Sequence, residues 1–131
     1  MTRTQAIVFA LATTATPRNR IATLNRLGIA NLFEVAADIG DVSEPKPSPE
    51  IYLTVTSRLA LQPSQCLVVE DSLTGGLSAK RAGCCVSALT RTFAAHELLG
   101  VGADFIFEDF QSLESLLRSR STAVKIGSLR A

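Results

Sequence analysis

Two adjacent carboxylates, Glu70 and Asp71, end the apolar run Cys66-Leu67-Val68-Val69. Neighbouring carboxylates repel and cost desolvation energy unless a cation lies between them. Oxygen donors of this kind suit Mg²⁺, which takes one or two protein carboxylates and leaves places for phosphate and water. The same pair also fits a solvated helix start, where acids are favoured by the helix dipole. A cation is available in the loop over residues 40–49, where Lys46 stands between Pro45 and Pro47, with Pro49 close behind. Each proline fixes its own φ and pushes the preceding residue toward extended conformations, so the backbone at Lys46 is well held for a loop. Thr13 and Thr14 follow another apolar run. A hydroxyl and backbone N–H groups can hold phosphate oxygens, and a lysine can neutralise them. Taken singly, the threonines read more simply as a helix-entry turn and Lys46 as a solvated loop lysine. Only the joint set points to phosphoryl chemistry, which needs positioning, charge stabilisation and a nucleophile.

The elements that must position these groups follow from periodicity and punctuation. A strand is expected over residues 6–12. Thr16 and Pro17 then open a helix with Ile21, Leu24 and Leu27 on one stripe, and Gly28 stops it. A short strand is expected over 33–39 and a helix over 49–59, with Ile51, Val55 and Leu59 on one face. Cys66–Val69 reads as a strand buried on both faces. A helix over 73–82 follows, rich in small residues and stopped by Gly83. A strand over 84–89, a helix over 94–99, a strand over 104–107 and a helix over 110–117 using Leu113, Leu116 and Leu117 complete the alternation. From Arg118 the chain turns polar and basic, and residues 119–131 are expected as a flexible tail after a core domain over 1–118.

Strands alternating with helices predict a three-layer, Rossmann-like α/β fold, a mainly parallel sheet with helices on both faces. Right-handed crossovers then put every strand's carboxyl end on one edge, where such folds bind ligands. Thr13, Lys46, Glu70 and Asp71 all fall at that edge.

The 131 residues, 47% hydrophobic and 19% charged, suit one globular domain with a core. A net charge of +1 gives no electrostatic case for nucleic acid or an acidic membrane surface. Cys66, Cys84 and Cys85 form no disulfide framework or zinc motif, which favours a reducing, cytoplasmic setting. Arg3 followed by the apolar residues 6–12 also allows a short leader reading. No stretch approaches the ~20 apolar residues of a membrane span. His96, the one histidine, reads as a surface residue.

Three segments resemble motifs of the haloacid dehalogenase superfamily, in its β-phosphoglucomutase and phosphoglycolate phosphatase-like branch. They are Ala10-Leu11-Ala12-Thr13-Thr14, Lys46-Pro47-Ser48-Pro49-Glu50-Ile51-Tyr52 and Val68-Val69-Glu70-Asp71-Ser72-Leu73-Thr74-Gly75. They match the second, third and fourth motifs in order, and the resemblance spans residues 9–117. It implies phosphoryl transfer on a small phosphorylated metabolite, of phosphatase or phosphomutase type. By the resemblance Thr13 binds the phosphoryl group through its hydroxyl and Thr14 through its N–H. Lys46 neutralises phosphate and nucleophile. Asp71 holds Mg²⁺, with Glu70 beside it or acting through water.

The first motif of the resembled family, a strand ending in Asp-x-Asp-Gly-Thr that supplies the nucleophile, has no counterpart here, and neither does the cap domain. Gln5-Ala6-Ile7-Val8-Phe9 resembles the start of that strand, but Ala10 stands where the Asp would be. The expectation is therefore a chain shortened by an in-frame deletion or a truncated gene model. The family's first-motif strand is central, so its loss would cost stability as well as chemistry. Efficient turnover is not expected. Two other classes are a catalytically silent fragment keeping a phosphate and metal half-site, and a receiver-like signalling domain. The order Thr, Lys, acids argues against the receiver.

Overall fold

The structure, a computed structural model, describes residues 8–119 and 124–127. Residues 6 and 7 of the expected first strand, the leader reading there, and the side chains of Leu116 and Leu117 lie outside what it describes. Among the described residues six strands form one parallel sheet: β1 (Phe9–Ala12), β2 (Val35–Ala37), β3 (Cys66–Glu70), β4 (Cys85–Leu89), β5 (Phe105–Phe107) and β6 (Val124–Gly127). Their order is β2-β1-β6-β3-β4-β5. Among the described residues five helices accompany them: α1 (Pro17–Leu27), α2 (Glu50–Arg58), α3 (Leu73–Ala82), α4 (Ala95–Gly100) and α5 (Phe110–Ser119). The protein has the expected α/β Rossmann-like fold. Among the described residues no helix is long and apolar enough to cross a membrane.

The helix ends follow local chemistry. Thr16 Oγ1 accepts from Asn19 N at 3.2 Å, Pro17 occupies the first turn, and Gly28 ends α1 at φ 69°. Ser72 Oγ accepts from Gly75 N at 3.0 Å to open α3, and Gly83 ends it at φ 92°. Positive φ costs glycine little, which is why both helices stop there.

Three differences from the sequence reading have physical causes. The strand expected over 33–39 is only β2, because Asp38 turns the chain: its Oδ1 accepts from Gly40 N at 2.8 Å, and a 3₁₀ turn follows over Ile39–Asp41. The stripe on α1 is buried only at Leu24, whereas Ile21 and Leu27 are 51% and 53% exposed. Periodicity marks an amphipathic helix but does not state how much of the sheet reaches under it. The polar stretch expected as a flexible tail contributes α5's last residue and, through 124–127, the strand β6 in the middle of the sheet.

The main core lies where α2 and α3 cover the sheet. Ile51, Tyr52 and Val55 of α2 and Ala79 of α3 pack there with Val68 and Val86. Burying side chains of this size contributes roughly 1.5–3 kcal/mol each before entropy is counted. Cys66 and Cys84 are buried among them as small apolar residues, as expected.

Candidate active site

The carboxyl ends of β1 and β3 face the loop that carries Lys46. Lys46 Nζ donates to Glu70 Oε1 at 2.9 Å and makes a longer contact with Ala12 O at 3.5 Å. It therefore ties the ends of both strands together. Its loop is anchored to α3, since Ser78 Oγ donates to Ser48 O at 2.5 Å and Arg81 reaches Pro47 O at 3.4 Å. The Lys46 and Glu70 side chains are 4% and 1% exposed.

Glu70 is the hub. Tyr52 Oη donates to the same Oε1 at 2.7 Å, and Ser72 Oγ donates to Oε2 at 2.9 Å. Burial alone would raise the Glu70 carboxyl, but the Lys46 ammonium and the Tyr52 and Ser72 hydroxyls hold it below its ordinary value. Burial, and then the Glu70 charge, push the Tyr52 hydroxyl well above its usual range, so it stays a donor. Lys46 Nζ also lies 5.0 Å from the centroid of the Tyr52 ring, within cation–π range. Gly75 makes room for the hub: a Cβ there would stand 1.8 Å from Glu70 Oε2.

Thr13 is buried, and its Oγ1 accepts from Ala15 N at 3.1 Å. Its backbone N–H donates to Ala37 O at 3.0 Å, which leaves the next residue, Thr14, exposed at the turn into α1. Asp71 is half-buried directly after Glu70. The structure thus brings Lys46 and Glu70 into contact and sets Thr13, Thr14 and Asp71 on the same edge of the sheet.

The donor set fits Mg²⁺ narrowly. Among the described residues no group of three His, Cys, Asp or Glu side chains is gathered to hold a metal. Glu70 gives both its oxygens to protein donors, so Asp71 is the carboxylate suited to touch an ion directly.

The other acids at this edge are held in place by protein groups. Asp38 is 2% exposed and accepts from Arg20 Nε at 2.7 Å. Asp41 Oδ2 accepts from Asp38 N at 2.9 Å, and its Oδ1 accepts from Arg58 at 2.9 Å. The Asp38 N–H, and then the Arg58 side chain, lower the Asp41 carboxyl. A surface depression along α2 is lined by Pro49, Glu50, Leu53 and Arg58. Glu50 there accepts from Ser43 N and Glu44 N. His96 is exposed, as expected.

Sequence reasoning missed Tyr52, Ser72 and Gly75 as partners of Glu70. A signal existed for the first: a tyrosine between core positions needs an acceptor for its hydroxyl.

In parallel α/β sheets ligands bind at the carboxyl edge of the strands, and the buried lysine–carboxylate hub stands at that edge. The profile of haloacid dehalogenase-like hydrolases matches residues 3–83, and the chain belongs to that family. The validoxylamine A 7'-phosphate phosphatase of Streptomyces hygroscopicus subsp. limoneus is 42% identical over 88 residues, 67% of this chain and 40% of the relative. The phosphorylated carbohydrates phosphatase of Thermotoga maritima is 40% identical over 81 residues, 62% of this chain and 38% of the relative. Among solved structures, a candidate β-phosphoglucomutase from Thermotoga maritima superposes with a TM-score of 0.79 at 33% identity, covering 87% of this chain and 54% of that one. CbbY from Rhodobacter sphaeroides in complex with phosphate gives 0.73 at 34% identity, covering 82% and 48%. The chain spans at most about 40% of the length of these curated relatives. The family assignment leaves no place for the receiver-like alternative.

Proposed function

We propose that the crevice beside Lys46 binds the phosphoryl group of a small phosphorylated metabolite, with Mg²⁺ held by Asp71. The observation that carries this reading is the Lys46–Glu70 contact at 2.9 Å, which fixes a buried cation at the ligand-binding edge of the sheet. Lys46 neutralises phosphoryl oxygens, and Thr13 and the Thr14 N–H orient them. Bound Mg²⁺ supplies further charge neutralisation, with Glu70 acting on it only through water. Relatives named for phosphatase activity on phosphorylated small molecules support the substrate class. Cys66, Cys84 and Cys85 form no disulfide, which suits a reducing, cytoplasmic setting.

The reading also holds that this chain alone turns over poorly. Its five aspartates are Asp38, Asp41, Asp71, Asp104 and Asp109. Asp38 and Asp41 are committed to Arg20 and Arg58. Asp104 stands at the amino end of β5, and Asp109 caps α5 by accepting from Ser112 N at 2.8 Å. Asp71 is assigned to the ion. Loss of a covalent nucleophile costs on the order of 10⁶ in rate where a catalytic unit acts together.

The test is steady-state hydrolysis of an aryl phosphate and of a panel of sugar phosphates with Mg²⁺, with Lys46→Ala and Asp71→Asn as controls. The expected result is phosphate binding without efficient hydrolysis. Turnover near about one per second, an ordinary enzyme rate, abolished by both substitutions, would overturn the nucleophile argument. Absence of phosphate binding would overturn the site.

A further inference from the structure

The end of β2 carries a second buried carboxylate, beside the turn that follows β1. Ala12 of β1 stands opposite Ala37 of β2, so Thr13 and Asp38 are the next residues along the same two strands. Thr13 N donates to Ala37 O at 3.0 Å and Ile39 N donates to Ala15 O at 3.2 Å, which holds Asp38 alongside the turn over residues 13–15. Gly40 closes this segment onto α1, since a Cβ there would stand 2.8 Å from Pro17 Cγ. Arg20, in the first turn of α1, donates from Nε to Asp38 Oδ2 at 2.7 Å.

The pair is not joined fork to fork. An arginine that meets a carboxylate frequently does so through parallel N–H···O bonds to both oxygens. Asp38 instead gives Oδ1 to Gly40 N at 2.8 Å and Oδ2 to Arg20 Nε. Among the described residues the Arg20 guanidinium donates to Asp38 through Nε, and its terminal amino groups lie beyond that bond. The Asp38 side chain is 3% exposed and that of Arg20 is 22% exposed. A buried anchor therefore holds a cation whose outer end reaches the surface. Asp41 does not call for Arg20 as a partner, because its oxygens accept from Asp38 N and from Arg58. In the sheet, β2 and β3 lie on opposite sides of β1. Lys46, bonded to Glu70 at the end of β3, and Arg20, bonded to Asp38 beyond the end of β2, thus flank Thr13 from opposite sides.

We propose that Arg20 is a specificity residue of the crevice. Its terminal amino groups take the oxygens of a second anionic group on the ligand, phosphate or carboxylate, while the first phosphoryl group lies at Thr13 and Lys46. Asp38 is its positioning residue. This role rests on the phosphoryl reading above and adds a ligand class to it, a small skeleton with an anion at each end. Lys46 Nζ reaches Ala12 O of β1, and β2 lies one strand spacing further, ~4.8 Å. The two anions then stand on the order of 5–10 Å apart, one to two strand spacings, which a short carbon chain spans. A planar guanidinium suits phosphate and carboxylate alike, because it offers paired N–H donors and keeps its charge.

The test is calorimetric titration of the full chain with Mg²⁺ present, using butanediol monophosphate, butanediol bisphosphate and the phosphate ester of hydroxybutyrate. These ligands differ in the group at the far end. Wild type should bind the bisphosphate, the phosphocarboxylate or both about tenfold tighter than the monophosphate, the size of one charge-assisted contact. A preference for one of them alone names the second group. Arg20→Gln should bring the ratio to about twofold or less and keep the monophosphate affinity. That substitution leaves the Asp38 carboxylate buried without its cation. Arg20→Gln combined with Asp38→Asn is therefore titrated beside it and should give the same low ratio. Arg26→Gln removes an exposed cation from the last turn of α1 and should leave the ratio as in wild type. A ratio unchanged in both Arg20 variants overturns the proposal, and so does an equal fall in Arg26→Gln. So does an equal loss of affinity for all three ligands in both Arg20 variants, the mark of a structural role. Monophosphate binding without preference in wild type overturns the role of Arg20 and leaves the phosphoryl reading standing. Failure of all three ligands to bind overturns both.

Discussion

Lys46 Nζ and Glu70 Oε1 lie 2.9 Å apart with both side chains almost wholly buried, and Tyr52 Oη reaches the same oxygen at 2.7 Å. One carboxylate oxygen thus fixes a cation and a neutral donor together. In a dry site such a pair is stable only while each member is present. Removing one partner of a buried ion pair costs about 3–5 kcal/mol, whereas replacing both with neutral groups of similar volume is often near neutral. Lys46→Ala should therefore lower the denaturation midpoint far more than Lys46→Met combined with Glu70→Gln. Equal losses in chemical denaturation would show that the pair is not coupled.

Tyr52 separates the roles of positioning and charge. Tyr52→Phe deletes one hydrogen bond to a charged acceptor, worth about 1.5–3 kcal/mol, and leaves the ring beneath Lys46. The expected outcome is a lower thermal midpoint together with weaker phosphate binding, because the Glu70 carboxylate loses a restraint on its position. Titration calorimetry with inorganic phosphate checks the second part. Unchanged phosphate affinity in the destabilised variant would confine Tyr52 to a packing role.

Acid should weaken the fold through Glu70. Its carboxyl is held below the ordinary glutamate value of 4.5, chiefly by Lys46 against the opposing effect of burial. A depressed folded pKa means that the unfolded chain takes up a proton first as pH falls. The stabilisation is fully present above the unfolded value. It declines from about pH 4.5 downward and is gone below the folded value. Denaturation midpoints measured from pH 7 to pH 3 should fall more steeply for wild type than for Glu70→Gln. Parallel curves would mean that other carboxylates govern acid unfolding.

Gly75 tests the same hub sterically. A Cβ at this position would fall 1.8 Å from Glu70 Oε2, so the carboxylate must leave its place or α3 must shift. Gly75→Ala normally favours a helix by roughly 0.5–1 kcal/mol. Here it should destabilise, and a melting temperature at or above wild type would show that Glu70 has a second, equally good arrangement.

How much of this was legible depended on how local the cause was. The starts and stops of α1 and α3 follow from Thr16, Ser72, Gly28 and Gly83, whose effects act within one turn, and the sequence states them directly. The edge bearing Thr13, Lys46 and Asp71 was legible because alternating strands and helices leave little choice of topology. Glu70 read as a metal ligand because its neighbour is Asp71. Besides Ser72, its protein partners Tyr52 and Lys46 come from 18 and 24 residues upstream, too far for a local pattern to pair them with it. β6 was not legible at all. Val-Lys-Ile-Gly lacks the apolar continuity of a central strand, and its place comes from the gap between β1 and β3.

Asp71 carries the remaining prediction. With the Glu70 oxygens occupied by Lys46, Tyr52 and Ser72, the proposed Mg²⁺ site rests on Asp71 for direct contact. Mg²⁺ keeps most of its water under such conditions and gains much of its affinity from a phosphate ligand. Binding by the chain alone should therefore be weak and should strengthen when inorganic phosphate is present. Phosphate should in turn bind more tightly with Mg²⁺ by the same factor, since coupling between two ligands is reciprocal. Asp71→Asn deletes the charge while keeping the shape, and it should abolish most of the Mg²⁺ binding and the coupling. It should leave the Lys46–Glu70 pair in place. Calorimetric titrations of Mg²⁺ and phosphate, separately and together, check each part. Equal Mg²⁺ affinity in wild type and Asp71→Asn would remove Asp71 from the site, and coupling that survives the substitution would place the ion elsewhere.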